Sequence, residues 1–332
     1  MNTQVFEQLH TAGLINNNAL HAVKNANSHR LFSLHWEIKT LLYIGVLLLS
    51  GGLGVLIYKN IDTIGHQVIL LITGAICAGS FFYCIRTKAD FSWQQVSSPN
   101  AFFDYILLLG CLTFVTFIGY LQYQYHTFGT TYGLATFIPL AILSLSAYYF
   151  DHIGVLALAI TNLAAWMGVS VTPLRVFSGI SSGTEIYAQH YVYMALLLGG
   201  ILLALALLST VFNLKKHFAF TYRNFGAHII FISSIVAMCL FHNNYFGWFL
   251  FLAAVAAYLG IQAFRERSFY FLLITVLYSY VGLSIVIGFL LAAIKEPGTY
   301  VIYIGLLYMI FSAIAVILLL IFLNKKLKHA GI

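Results

Sequence analysis

The chain of 332 residues is 61% hydrophobic and only 8% charged, and it carries a formal net charge of +7. Soluble globular domains have about 25% charged residues, so this composition excludes soluble folding. The 16 lysines and arginines stand singly or in short groups at the edges of apolar runs, which favours lipid headgroups over nucleic acid as partners.

The polar segment that opens the chain, residues 1–38, predicts a small cytoplasmic helical hairpin followed by an interfacial lead-in. Thr3 can cap a first helix, Gly13 can end it, and Asn16 to Asn18 can cap a second. No basic region precedes an apolar stretch with a small-residue cleavage site, so we expect no cleavable signal peptide. The segment lacks the basic recognition face and the third helix of a DNA-binding helix-turn-helix. We therefore expect the hairpin to pack on the membrane or to dock a protein partner.

Ten apolar runs follow, each suited to a helix that crosses a hydrocarbon core of about 30 Å. Continuous runs of this length lack the alternation of barrel strands, so the expected fold is all-α. We predict a polytopic transmembrane helix bundle over residues 39–324 and a basic cytoplasmic tail over 325–332. The predicted spans are 40–58, 66–86, 102–123, 130–150, 152–171, 190–212, 226–242, 247–264, 269–292 and 301–323.

The ten spans, taken in order, place most of the basic residues on one side of the membrane. Cytoplasmic loops carry an excess of lysine and arginine, which predicts that both termini are cytoplasmic. The inner set comprises Lys24, Arg30, Lys39, Arg86, Lys88, Lys215, Lys216, Arg223, Arg265, Arg267, Lys325, Lys326 and Lys328. The outer set comprises only Lys59, Arg175 and Lys295.

The amino-terminal arrangement resembles a known family. Leu9, then Gly13-Leu14-Ile15, a second short helix and the glycine-rich first span TLLYIGVLLLSGGLGVLIYKNID are similar to the bacterial membrane-protein family catalogued as domain of unknown function 2157. The similarity covers the first 60–80 residues. It implies a bacterial inner membrane protein with a short cytoplasmic amino-terminal segment and many spans, and it implies no activity.

Acidic residues are absent from the predicted centres of the spans, which counts against a proton pump with a carboxylate relay. Near the inner face, Asp104, Asp151, His152 and His228 form the candidate set for acid–base chemistry. Asp151 is also predicted to cap the fifth helix, where two spans meet with almost no loop. No enzyme motif is present, so a non-enzymatic protein is favoured, and the sequence indicates no particular cofactor.

Neutral polar and helix-breaking residues do fall near the centres of four spans. They are Pro139 in span four, Thr161 and Asn162 in span five, Ser233 and Ser234 in span seven, and Tyr278, Tyr280 and Ser284 in span nine. This pattern predicts a transporter-like protein that moves or holds a small neutral or lipophilic molecule between these spans. The alternative is that the same residues hold helices together, as Gly199-Gly200 in span six is expected to do.

Ten spans with both ends inside also permit a five-plus-five inverted repeat, in which span four corresponds to span nine. A different site is possible at the outer ends of spans two, three, six and seven, which carry His66, His126, His190 and His242. Four imidazoles at one level could bind a metal or haem, or each could hydrogen-bond separately at the interface.

Three functions therefore stay open. The first is a transporter-like protein, and the second is a structural or sensory subunit that docks a partner through its amino-terminal hairpin. The third is a metal- or haem-binding membrane enzyme that uses the outer histidines.

Overall fold

The computed structural model describes residues 34–59, 65–129, 133–168, 185–294 and 299–329, together with His10 and residues 15–17. The chain divides into two compact units, Met1–Asn60 and Ile61–Ile332. The first unit contains helix α1, Leu34–Lys59. The predicted amino-terminal hairpin lies outside the described residues.

The second unit contains helices α2 to α10, and each predicted span has a helix at its place. They are α2 His66–Thr87, α3 Ala101–Tyr125, α4 Gly133–Phe150, α5 Ile153–Trp166, α6 Glu185–Val211, α7 Phe218–Leu240, α8 Tyr245–Arg265, α9 Phe269–Ala292 and α10 Thr299–His329. All of them except α5 are long and apolar enough to cross a membrane, which makes eight candidate spans in the described part of the chain. The prediction of an all-α polytopic bundle is confirmed, and the chain is an integral membrane protein in contact with lipid.

Helix α5 ends five residues before the predicted limit of span five. Its 14 residues extend about 21 Å, less than the core of about 30 Å. The amide of Met167 donates to the carbonyl of Leu163 at 2.9 Å, and Gly168 follows with a left-handed φ of 75°. Glycine adopts this conformation without a steric penalty and commonly follows the last turn of a helix, so α5 ends at Trp166.

Consecutive helices pack as antiparallel pairs, α2 with α3, α4 with α5, α6 with α7, and α8 with α9. One end of the second unit therefore contains the ends of α2, α4, α6, α8 and α10 and the beginnings of α3, α5, α7 and α9. We call it the basic end, because every lysine and arginine described beyond Gly65 lies on this side. These residues are Arg86, Lys88, Lys215, Lys216, Arg223, Arg265, Arg267, Lys325, Lys326 and Lys328.

Helix α7 joins two buried apolar clusters. Its first turn contributes Phe218 to a cluster with side chains from α2 to α6, including Leu143 and Leu198. Its middle contributes Phe231 to a second cluster with α8, α9 and α10, including Leu252. The position of α7 therefore decides how the two halves of the second unit fit together.

Two glycines let α6 and α7 approach closely. A Cβ atom at Gly199 would clash with the side chain of Ile230, and one at Gly226 would lie 3.1 Å from the carbonyl oxygen of Gly199. A Cβ atom at Gly200 would meet nothing within 4 Å. The predicted close helix contact in span six is thus confirmed for Gly199 and does not involve Gly200.

Candidate functional site

A row of hydrogen bonds connects α7 with α9. The Tyr270 hydroxyl donates to Oδ1 of Asn224 at 2.7 Å. Nε2 of His228 lies 3.2 Å from the Tyr270 hydroxyl, and Nδ1 of His228 lies 2.9 Å from the Tyr278 hydroxyl. We call these four residues, Asn224, Tyr270, His228 and Tyr278, the α7–α9 polar chain.

The polar chain has one consistent direction with an uncharged histidine. The single hydroxyl proton of Tyr270 is donated to Asn224, so this oxygen accepts the proton of Nε2 from His228. Nδ1 then carries a lone pair and accepts the hydroxyl proton of Tyr278. The imidazole and both tyrosine hydroxyls are hydrogen-bonded while neutral, which lowers the cost of placing them in a membrane span.

His228 lies further from the beginning of its helix than the predicted limits of span seven indicate. The predicted span seven begins at residue 226, which puts His228 near the inner face, but α7 begins at Phe218. His228 is therefore about 15 Å along the helix, and Tyr278 lies at a similar distance from the beginning of α9. Arg223, five residues earlier in α7, pairs with Glu266 at the end of α8, so His228 lies less than two helical turns beyond this ion pair.

The early beginning of α7 has a physical cause in two polar residues that find partners. The Tyr222 hydroxyl lies 3.0 Å from the Tyr148 hydroxyl of α4, and Arg223 forms an ion pair with Glu266 at the end of α8. The guanidinium of Arg223 also lies 4.7 Å from the ring centre of Phe271. These contacts let the helix include residues that resemble a polar loop when they are considered one by one.

Of the residues predicted in span nine, Tyr278 joins the polar chain, and its ring stacks on Phe231 at 4.9 Å between centroids. The others contact α10 instead. The Tyr280 hydroxyl lies 3.0 Å from Oγ of Ser312, and Oγ of Ser284 lies 2.9 Å from the hydroxyl of Tyr308. Tyr280 and Ser284 therefore link α9 to α10.

Ser233 and Ser234 lie on α7 beyond the polar chain and bond within their own helix. Oγ of Ser233 donates to the carbonyl of Ile229 at 2.6 Å, and Oγ of Ser234 donates to that of Ile230 at 2.7 Å. Both side chains are buried. Their hydroxyls are satisfied by the preceding turn.

The predicted residues of spans four and five share one helix pair. Pro139 is buried within α4, Asn162 is half-buried on α5, and the Thr161 hydroxyl donates to the carbonyl of Leu158 at 2.8 Å. Helix α5 also contacts α7, whereas α9 packs against α7, α8 and α10. The structure thus places the predicted α4–α5 residues and Tyr278 in separate helix pairs, both in contact with α7.

The four outer histidines have separate surroundings. Nδ1 of His66 lies 2.7 Å from the Tyr120 hydroxyl, and the His242 ring packs against Phe289 with centroids 5.4 Å apart. His126 ends α3 in a left-handed conformation, and His190 lies beside Tyr191 in the chain, with ring centroids 6.2 Å apart. Among the residues that the structure describes, no three His, Cys, Asp or Glu side chains gather as metal ligands.

A buried carboxylate joins three connections at the basic end. Oδ1 of Asp151 lies 3.2 Å from Nζ of Lys215 and 2.6 Å from Nε2 of His217. Its Oδ2 accepts the amide of Val96 at 2.5 Å. The side chains of Asp151 and Lys215 are 2% and 1% exposed. We call Asp151, Lys215, His217 and the Val96 amide the Asp151 clasp, since together they tie residues 88–100, 151–152 and 212–217.

The prediction that Asp151 caps the fifth helix is wrong. Nδ1 of His152 accepts the amide of Val155 at 3.1 Å and is the cap of α5. Asp151 has a left-handed φ of 57° and follows the last turn of α4, where the amide of His152 donates to the carbonyl of Ala147 at 3.1 Å. This is the end of a helix, which leaves the carboxylate free to turn toward Lys215.

The remaining members of the predicted acid–base set are divided. Oδ1 of Asp104 accepts the Ser98 hydroxyl at 2.5 Å and lies 3.7 Å from Nε2 of His152. His228 lies on α7 in the separate polar chain. The sequence predicts that Lys215 lies on the cytoplasmic side of the membrane but does not indicate that Lys215 or His217 belongs to a site. Their partner Asp151 is more than 60 residues away in the chain.

An open cleft of about 510 Å³ lies beside the Asp151 clasp. It is formed where the connection between α2 and α3 meets the turn between α6 and α7. Its lining residues are Trp93, Gln94, Gln95, Asn213, Lys216 and His217.

The comparisons with known proteins extend the resemblance seen at the amino terminus. Residues 7–156 match the model of a family described as "Predicted membrane protein (DUF2157)". The predicted resemblance is confirmed. The match to this family reaches from the amino-terminal segment into α5, so it includes Asp104 and Asp151 but ends before Lys215 and the α7–α9 polar chain.

The family's description gives the membrane location and no activity. The comparison with curated proteins finds no match, and the comparison with solved structures finds none either.

Proposed function

We propose that the chain is a transporter-like membrane protein that binds a small neutral or lipophilic molecule at the α7–α9 polar chain. One observation carries the proposal. His228 lies about 15 Å along a membrane-spanning helix, is partly exposed, and has both ring nitrogens within hydrogen-bond distance of tyrosine hydroxyls.

The chemistry of the polar chain suits an uncharged guest. A hydroxyl or carbonyl oxygen of the guest can replace Tyr270 as the acceptor of the Nε2 proton while Tyr278 still donates to Nδ1, so the imidazole keeps two hydrogen bonds when the guest binds. The half-exposed ring of Phe220, 5.9 Å from Tyr270, supplies an apolar wall, and the fully buried ring of Phe231 stacks on Tyr278. A few polar groups on an apolar wall are typical of small-molecule sites.

Access from the side of the bundle fits a lipophilic molecule. Tyr270 is 39% exposed, and the neighbouring Leu277 on the same helix is 43% exposed. A guest dissolved in the bilayer can therefore approach the hydroxyl of Tyr270 without separating the buried clusters.

We further propose that the basic end faces the cytoplasm of a bacterial inner membrane, with both termini on that side. The sorting of lysines and arginines supports this orientation. In this proposal residues 1–38 form a cytoplasmic segment, residues 39–324 the bundle, and residues 325–332 a basic tail.

A structural or sensory subunit is the second candidate. The hydroxyl contacts of Tyr280 with Ser312 and of Ser284 with Tyr308 favour it, because they connect α9 and α10 as packing contacts. In this candidate function the amino-terminal segment docks a protein partner and the bundle binds no small molecule.

Two tyrosines of α9 provide a matched test. The purified protein is screened by thermal unfolding in mild detergent against a panel of small neutral phenols, alcohols and amides. A compound at one hundred times its dissociation constant is expected to add about 2.7 kcal/mol to the free energy of unfolding. Tyr278→Phe removes the hydroxyl that donates to His228 and is expected to weaken binding about tenfold.

The control is Tyr280→Phe, which removes one hydroxyl from the same helix but from the contact with α10. It is expected to retain binding of the compound. If no compound stabilises the protein, or if both variants respond as the unaltered chain does, the α7–α9 polar chain is not the site.

A further inference from the structure

We propose that the cleft beside the Asp151 clasp binds the phosphate of an anionic phospholipid headgroup. The cleft is formed by residues of the α2–α3 connection and the α6–α7 turn, and it is separate from the α7–α9 polar chain. The proposal therefore does not depend on the proposed transport function.

The side chains that line the cleft include hydrogen-bond donors and no carboxylate. The side chains of Gln94, Gln95 and Asn213 each carry an amide NH₂, and Lys216 adds an exposed ammonium. A phosphate needs several donors and a positive charge, and these residue types provide both.

The carboxylate of Asp151, which contacts the lining residue His217, does not cancel the charge of Lys216. Asp151 is 2% exposed, and its oxygens lie within 3.2 Å of Lys215 and 2.6 Å of His217. Its negative charge is balanced inside the clasp. The cleft is therefore left with the positive charge of Lys216.

The cleft is held in shape before any ligand arrives. The amide of Lys215 donates to the carbonyl of Trp93 at 2.9 Å, and Nζ of Lys215 lies 3.4 Å from the carbonyl of Gln94. These bonds connect one wall of the cleft to the other. A site that is already formed loses less conformational entropy on binding.

The position of the cleft selects a ligand presented by the membrane surface. Three lining residues lie between α2 and α3 and three between α6 and α7, so the cleft lies at the edge of the spanning region. Trp93 is 52% exposed, and tryptophan is enriched at the level of the headgroups. Anionic headgroups are concentrated at this level, whereas a dissolved phosphate has no such enrichment.

The test compares two basic residues at the same end of the full-length protein. The protein is purified in mild detergent and titrated with phosphatidylglycerol or phosphatidylcholine, and bound lipids are counted by native mass spectrometry. Lys216→Gln is expected to weaken phosphatidylglycerol binding about fivefold and to leave phosphatidylcholine binding unchanged. Arg265 is exposed and lies outside the cleft. Arg265→Gln makes the same change in net charge and is expected to leave the affinity of the cleft for phosphatidylglycerol unchanged.

Gln95→Leu removes a donor without changing the net charge, and it is expected to weaken phosphatidylglycerol binding about threefold. Equal losses in Lys216→Gln and Arg265→Gln would mean a diffuse attraction to the whole basic end and would overturn the proposal. No loss in Lys216→Gln and Gln95→Leu would overturn it as well. If inorganic phosphate displaces phosphatidylglycerol at equal concentration, the ligand is a free anion and the headgroup assignment is wrong.

Discussion

Asp151→Asn is expected to lower the free energy of unfolding by about 3–5 kcal/mol, because it leaves the Lys215 ammonium buried without a counter-charge. The substitution removes the charge at almost unchanged size and turns one carboxylate oxygen into an NH₂ donor. Asparagine tolerates the left-handed φ of 57°, and its side-chain oxygen can still accept the amide of Val96. The measurement is the shift of the unfolding transition in mild detergent, followed by denaturant and by heat.

Two further variants separate the ion pair from general damage. Asp151→Asn combined with Lys215→Met removes both charges and is expected to recover most of the lost stability. Asp90→Asn changes an exposed acid at the same end and is expected to stay within about 0.5 kcal/mol of the unaltered protein. A loss below about 1 kcal/mol in Asp151→Asn would show that the clasp does not hold the three connections together.

The role of Asp151 could not be predicted from the sequence around it. A carboxylate directly before an apolar run predicts a helix cap, and the neighbouring His152 performs that role instead. The choice between the two depends on Lys215 and His217, which are 64 and 66 positions further along the chain. No local pattern contains that information.

Helix limits follow from sequence where the signal is local. Gly168 ends α5 by a conformation that glycine adopts easily, and the predicted limit at residue 171 was wrong because it passed over this local signal. The beginning of α7 was misplaced by eight residues because Tyr222 and Arg223 resemble an interfacial loop. Their partners, Tyr148 and Glu266, lie on α4 and at the end of α8, so only the packed bundle makes the longer helix favourable.

The candidate site shows the same limit in another form. The sequence predicts how far along a span each residue lies, and on that basis Tyr278, Tyr280 and Ser284 were all predicted to line the candidate site. Their partners depend on the face of α9 that each residue occupies. Tyr278 contacts α7, whereas Tyr280 and Ser284 contact α10. The five-plus-five repeat stays a prediction.

Gly199→Ala is expected to lower the free energy of unfolding by about 1–3 kcal/mol, the usual cost of overpacking a filled contact. The new methyl group would meet the side chain of Ile230 and the carbonyl oxygen of Gly226, which lies 3.2 Å away. Gly200→Ala is the matched control, since its methyl group meets nothing within 4 Å. It is expected to be neutral or slightly stabilising, because alanine favours the helix over glycine.

The variant also connects packing to the candidate site. Gly226 lies two residues before His228, so a displacement of α7 away from α6 should alter the distances from His228 to Tyr270 and Tyr278 on α9. Gly199→Ala is therefore expected to weaken compound binding as well as stability. Combining Gly199→Ala with Ile230→Ala makes room for the methyl group and should restore part of both properties. Equal stability of Gly199→Ala and Gly200→Ala would mean that α7 is not positioned by this contact.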